Sequence, residues 1–193
     1  MISIIRPACP DLVKLASNYK YHLNKQALID ASWGKCMYCE SKVSHVYFGD
    51  IEHIKPKAQD KYPHLEFEWS NLGFCCAVCN NSKSDRYDEE CPPIDPYAED
   101  PGDHLFPFGT LLRHKAGSER GQTTVTLASL NRAELIEQRA LRLEQVQSAI
   151  DACYRTKSVT LRELLLEALS AEGGPDKEFS MFVSALVRAN ERR

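Results

Sequence analysis

The chain has no run of about 18 apolar residues, so it offers no membrane-spanning helix. Its N-terminus, Met1-Ile2-Ser3-Ile4-Ile5-Arg6-Pro7, lacks the long apolar stretch and cleavage pattern of a secretory signal. A cytoplasmic protein is therefore expected. Internal repeats and low-complexity tracts are missing, which excludes solenoids and arrays. A broad basic excess is missing too: 24 Lys and Arg face 27 Asp and Glu, for a formal net charge of −3. That removes the simplest electrostatic sign of a nucleic-acid binder. The acid is concentrated, since residues 85–103 carry eight Asp/Glu against one Arg while residues 1–84 carry eight against ten Lys/Arg.

Cysteine, by contrast, is plentiful, with eight in 193 residues and six of them between Cys36 and Cys91. Disulfides are rare in reducing compartments, so clustered cysteines there point to metal. Cys36-Met37-Tyr38-Cys39 and Cys76-Ala77-Val78-Cys79 are both C-x-x-C. Two residues between cysteines let a tight turn aim both sulfurs at one ion, and zinc takes four thiolates as a tetrahedron. A closed shell of this kind is structural and supplies folding energy to an otherwise irregular segment. Cys75 competes with Cys76 for the fourth position; Cys76 is preferred because it makes the two knuckles equal. Cys9, Cys91 and Cys153 read as core or surface thiols.

The patterning around this segment predicts a mixed chain. Leu12, Leu15, Tyr19, Leu23 and Ala27 form one helical stripe over residues 11–31. A strand pattern covers Val46–His53. Residues 86–103, with four prolines, read as an extended connector. Two strand-like runs follow, Leu105–Leu112 and Gln122–Leu130, joined by a hairpin loop from His114 to Gly121. Asn131 with Glu134, stapled by Leu130 and Leu135, predicts the start of a helix that ends near Tyr154. Thr160 with Glu163, stapled by Val159 and Leu164, predicts a second helix that stops at Gly173-Gly174-Pro175. Asp176 is expected to cap a last helix to about Asn190, with Phe179, Phe182, Val183 and Leu186 inward.

Between the knuckles stand Asp50-Ile51-Glu52-His53-Ile54-Lys55-Pro56 and Ser70-Asn71-Leu72, and Cys79 is followed by Asn80 and then Lys83. This order, C-x-x-C, acid-His-Ile-x-Pro, Asn-Leu, C-x-x-C-Asn, Lys, resembles the zinc-containing HNH nucleases over residues 36 to 85. The resemblance implies a ββα-metal core that hydrolyses phosphodiester bonds. It implies His53 as general base, Glu52 and Asn80 as ligands of a catalytic Mg2+ or Mn2+, and Asn71 as the residue that ties the base-bearing strand to the following loop. Asp50 is a reserve ligand. Lys83 is either a phosphate contact or solvated, and Trp69 is packing. Consecutive residues of a strand face opposite ways, so Glu52 and His53 serve one site only if the strand bends there. With a net charge of −3, a partner or a metal is expected to help hold a polyanion.

The longer string, with Glu68-Trp69-Ser70-Asn71-Leu72, Asp95-Pro96-Tyr97, Asp100-Pro101 and Leu130-Asn131-Arg132, is similar to the HNH component of Septu-type and retron-associated anti-phage defence systems. That likeness implies a nuclease working with an ABC/SMC-like ATPase, on DNA by family default or on RNA. The competing reading is a zinc-stabilised nucleic-acid- or protein-binding module without catalysis. The expected fold class is α+β: a zinc-stabilised ββα-metal (HNH) core with a β-hairpin and a C-terminal helical region. The expected divisions are an N-terminal helical segment 1–32, the zinc-containing core 33–90, a connector and hairpin 91–130, and a helical region 131–193.

Overall fold

A computed structural model describes residues 1–43 and 49–191, so Val46–Phe48 of the expected strand lie outside the described residues. The fold is α+β. Two short helices, α1 (Leu12–Leu15) and α2 (His22–Ala31), lead to an antiparallel pair, β1 (Asp50–His53) and β2 (Leu72–Cys75), and then to α3 (Ala77–Lys83). A hairpin of β3 (Leu105–Phe108) and β4 (Leu111–His114) comes next. Four helices follow: α4 (Glu119–Leu127), α5 (Ala133–Arg155), α6 (Val159–Glu172) and α7 (Ser180–Glu191). No helix among the described residues is long and apolar enough to cross a membrane.

The main core joins Leu15 and Leu28, the cysteine knuckles, Phe74, Ile94 and Leu112 to Leu135, Phe179 and Phe182. A satellite core of Val146, Ile150, Cys153, Leu169, Val183 and Val187 holds α5, α6 and α7 together. The last helix is thus interior packing, because it contributes to both cores.

Several expectations need correction. The N-terminal helix is two helices. Asn18 Oδ1 accepts from the Lys20 amide at 3.0 Å, a local bond that competes with helix continuation. The break shifts the helical phase, so Leu12 and Leu23 are exposed, whereas Leu28 and the polar Asn24 are buried. Asn24 is satisfied by Asp11, donating to its carbonyl and accepting from its amide, both at 2.9 Å.

The second strand-like run, Gln122–Leu130, is mostly helical and lies in and after α4. Its threonines favour strands by propensity, but Ser118 caps the helix by accepting from Gly121 N. Thr124 and Thr126 hydroxyls donate to the carbonyls four residues back, at 2.8 and 2.9 Å. Thr124 Oγ1 also accepts from Ile94 N at 2.8 Å, anchoring the connector. The hairpin instead forms within the first run, where Gly109 at φ +58° supplies the turn between β3 and β4.

Asn131 does not cap α5. Its amide pairs with the backbone of Leu112 in β4, at 2.8 and 2.9 Å. Ser158, not Thr160, caps α6, and both staple residues, Val159 and Leu164, are exposed. That helix does end at Gly173. Asp176 lies too far upstream to cap α7, which begins at Ser180 after Phe179 at φ +53°.

Candidate active site and cysteine cluster

The first knuckle is a tight turn. An isolated bridge pairs Lys35 with Lys42, and Glu40 at φ +64° lets its amide return to the Cys36 carbonyl at 3.0 Å. The second knuckle opens α3, where Cys76 is the N-cap residue and its sulfur accepts from Cys79 N. The sulfurs of Cys36, Cys39, Cys76 and Cys79 lie within 4.8 Å of one another, with Cys39 and Cys76 at 3.9 Å. Four thiolates at ~2.3 Å from a tetrahedral zinc sit ~3.8 Å apart, so this set fits the ion. Cys75 approaches Cys36 at 3.6 Å but belongs to β2 and is outside the mutually close set.

The cluster thiols are not shifted alike: burial pushes the Cys36 thiol up. Hydrogen bonding from Cys36 pulls the Cys39 thiol down to about 7. Arg132, at the start of α5, donates to Cys79 Sγ at 3.4 Å. One helical face further along, the buried Arg139 lies over the Phe182 ring at 4.4 Å and donates to Thr110 O.

A cleft of about 460 Å³ lies on the other side of the β1–β2 pair and α3. It is lined by Tyr19, Lys20, Asp50, Glu52, His53, Lys57, Asn80 and Asp85, among others. Its geometry follows from β1 ending at His53, paired with Leu72. Beyond that point the chain turns, held by Ile54 N donating to Asn71 O at 3.0 Å. The Asn71 side chain accepts from Lys55 N at 2.8 Å and donates to Lys55 O and Leu65 O at 2.9 and 3.2 Å. One amide therefore ties β1's exit to the loop that returns to β2.

That loop supplies the partner of His53. The imidazole Nε2 lies 2.9 Å from Glu66 O. A carbonyl only accepts, so Nε2 carries the proton and Nδ1 keeps a lone pair. Burial lowers the imidazole pKa below its ordinary value. Neutral imidazole near pH 7 is the form a general base requires.

Glu52 and His53 both line the cleft although they are consecutive, but they are held differently. Glu52 is buried, and its Oε1 pairs with Lys83 Nζ at 2.7 Å and accepts from Tyr38 OH at 3.3 Å. Burial pushes the Glu52 carboxyl up despite the ammonium beside it. Lys83 Nζ also donates to His53 O at 2.9 Å and is 1 % exposed, so it is neither solvated nor a phosphate contact. Asn80 and Asp50 are half-buried and line the same cleft. Carboxylate and amide oxygens together suit a hard divalent cation. Trp69 donates to Pro7 O at 2.8 Å and packs against the core.

With this geometry in view, comparison with known proteins is decisive. The HNH endonuclease family model matches residues 36–86. The Septu protein PtuB of Bacillus thuringiensis is 30 % identical over 186 residues, covering 86 % of this chain and 69 % of that protein. The chain belongs to the HNH endonuclease family and is homologous to PtuB. A second PtuB, from Bacillus mycoides (strain KBAB4), is 30 % identical over 151 residues, 63 % of this chain and 51 % of that one. The chain thus spans about two thirds of the first relative and half of the second.

Tyr19 and Lys57 also line the cleft. Tyr19 was legible only as part of a helical stripe, and nothing in the sequence signals the break that turns it into the cleft. Lys57 directly follows the acid-His-Ile-x-Pro string, but its side-chain partners depend on the loop that brings Glu66 back to it.

Proposed function

We propose that the chain hydrolyses nucleic-acid phosphodiester bonds with His53 as general base, and that it is the nuclease component of an anti-phage defence complex. The observation that carries the first part is the His53 imidazole itself. One nitrogen is committed to Glu66 O, and the ring lines a cleft shared with oxygen donors. Its free Nδ1 lone pair takes the proton from water, and the bond at Nε2 keeps the tautomer that makes this possible.

Glu52 and Asn80 are the residues that hold Mg2+ or Mn2+ in this reading, with Asp50 in reserve because Lys83 already engages one Glu52 oxygen. When bound, such a cation neutralises charge on the phosphoryl group and the leaving oxygen. Lys83 fixes Glu52 and the His53 carbonyl together, and Asn71 keeps the loop that presents Glu66. The four cysteines hold zinc as a closed, structural shell. DNA is the favoured substrate and structured RNA the alternative.

The test is nicking of supercoiled plasmid, and cleavage of transfer RNA, with Mg2+, Mn2+ or EDTA. His53→Ala is expected to lose roughly 10²-fold or more in rate, the low end for removing a general base. Cleavage at the wild-type rate by that variant sinks the assignment.

Homology to the Septu protein PtuB supports the second part, and the resemblance to Septu-type systems implies an ABC/SMC-like ATPase as the partner. The chain alone is then a weak nuclease. Co-expression with an ABC/SMC-like ATPase of a Septu-type system and size-exclusion chromatography test this. Elution of the two as separate species, with full activity in the free chain, argues against it.

A further inference from the structure

We propose that Tyr19, outside the segment matched to the HNH family, is a positioning residue for the His53 imidazole. The inference rests on the reading of His53 as the base, and its tests separate the two.

An imidazole held by a single hydrogen bond keeps freedom about its second side-chain torsion, which is broad for such rings. Nε2 of His53 has its bond to Glu66 O. The ring also makes a T-shaped contact with Tyr19, with centroids 4.7 Å apart and planes at 73°. Edge-to-face contact at this distance is an attractive aromatic geometry that also blocks rotation of the smaller ring.

Tyr19 is fixed in its turn. Its hydroxyl accepts from Lys57 Nζ at 2.9 Å, and the ammonium lies 4.2 Å from the centre of its ring. The same ammonium pairs with the Glu66 carboxylate at 2.9 Å. Glu66 therefore gives its carbonyl to His53 and its carboxylate to Lys57. The contacts close a ring: His53 to Glu66, Glu66 to Lys57, Lys57 to Tyr19, Tyr19 back to His53. His53 ends β1, and Lys57 and Glu66 come from the loop that follows it. Tyr19 reaches the ring because the N-terminal segment breaks between α1 and α2, where Asn18 turns the chain. The N-terminal segment thus completes the surroundings of the base as well as covering the core.

The rival role for a cleft-lining tyrosine is substrate contact, and the two differ in what they change. A positioning residue alters the chemical step with little effect on binding, whereas a substrate contact alters binding. The first measurement is independent of activity: nitrogen-15 spectra of the histidine rings in the full chain, with His53 assigned from the His53→Ala spectrum. We expect one set of His53 ring signals with the proton on Nε2 in the wild type and in Tyr19→Phe, which keeps the ring edge. In Tyr19→Ala those signals should move toward an averaged or mixed tautomer. Identical His53 signals in wild type and Tyr19→Ala overturn the proposal.

The second measurement is cleavage of supercoiled plasmid with Mn2+. Tyr19→Ala is expected to lower kcat about three- to tenfold, the rate equivalent of one aromatic pair, with KM held within about twofold. Tyr19→Phe should restore most of that rate. A raised KM with unchanged kcat overturns the proposal in favour of substrate contact. If His53→Ala cleaves like wild type, the base assignment has failed, and the ring spectra still decide whether Tyr19 orients the imidazole. Zinc content and melting temperature equal to wild type in Tyr19→Ala show that the variant is folded.

Discussion

Replacing Lys83 by Met removes an ammonium while keeping most of the side chain's length and volume. Lys83 and Glu52 are 2.7 Å apart, with side chains 1 % and 2 % exposed. The variant leaves a buried carboxylate whose Oε1 keeps only the Tyr38 hydroxyl, at 3.3 Å, among the described residues. Breaking a buried ion pair from one side costs about 3–5 kcal/mol, because the remaining charge is uncompensated. Burial already raises the Glu52 pKa with Lys83 in place, and losing the ammonium pushes the carboxyl further toward its neutral form. Protonation caps the cost near the low end, about 3 kcal/mol. For a chain of this size each kcal/mol moves the melting temperature about 2–4 °C, so the expected drop is about 6–12 °C. The assay is thermal melting at fixed zinc concentration, which keeps the metal's contribution constant. Glu52→Gln with Lys83→Met removes both charges and should recover most of the lost stability, while cleavage stays abolished if Glu52 is a cation ligand. A single variant that melts within about 2 °C of wild type refutes the reasoning, as does a double variant no more stable than the single one.

Two further outcomes follow from the same structure. Cys79→Ser should lose zinc and melt lower, whereas His53→Ala keeps both zinc content and melting temperature; metal analysis of freshly purified protein checks this, and a zinc-free wild type contradicts the metal assignment. Val159 and Leu164 on α6 are 67 % and 59 % exposed, so changing both to Glu should shift stability by no more than about 1 kcal/mol. If α6 is where an ATPase partner docks, the same double change abolishes co-elution; a complex that survives it rules that face out.

The parts of this protein legible in its sequence are those where chemistry restricts residue type. Four thiolates around one ion leave little choice of spacing, so the knuckles could be read directly. The acid-His-Ile string, Asn71 and Asn80 were recognisable by their order, and the structure brings His53, Glu52 and Asn80 to one cleft while Asn71 braces its loop. Failures came where a local rule met a tertiary partner. The Thr-Thr-Val-Thr run has strand propensity, but its hydroxyls find helical carbonyls and Ile94 N instead. Asn131 has capping chemistry, but the unpaired backbone of β4 claims its amide. Val159 and Leu164 sit where a staple would, but the cap falls at Ser158 and both side chains face outward. The acid of residues 85–103 reads as repulsive to a polyanion, yet part of it is neutralised within the protein: Glu99 binds Arg120 and His104, and Asp95 faces Arg6.

Helix α3 explains why the cysteine cluster and the cleft belong to one device. In seven residues it carries Cys79 on its first turn, Asn80 beside it and Lys83 at its end. Cys79 belongs to the four-cysteine cluster, Asn80 lines the cleft, and Lys83 reaches β1 at both Glu52 and His53. So short a helix is not stable by its own hydrogen bonds in water. Its orientation must come from what holds its two ends, the thiolates at one and the buried ammonium at the other. Gly73, opposite Glu52 in the β1–β2 pair, lets the knuckle's Met37 pack directly onto β2, where any Cβ would collide with its sulfur. Four cysteine sulfurs around one ion would leave no open position for substrate, and the cluster need not have one. By fixing α3 against β1, it sets where Asn80 stands relative to His53, and tolerances there are tight because catalytic rates fall steeply with misplacement of about an ångström.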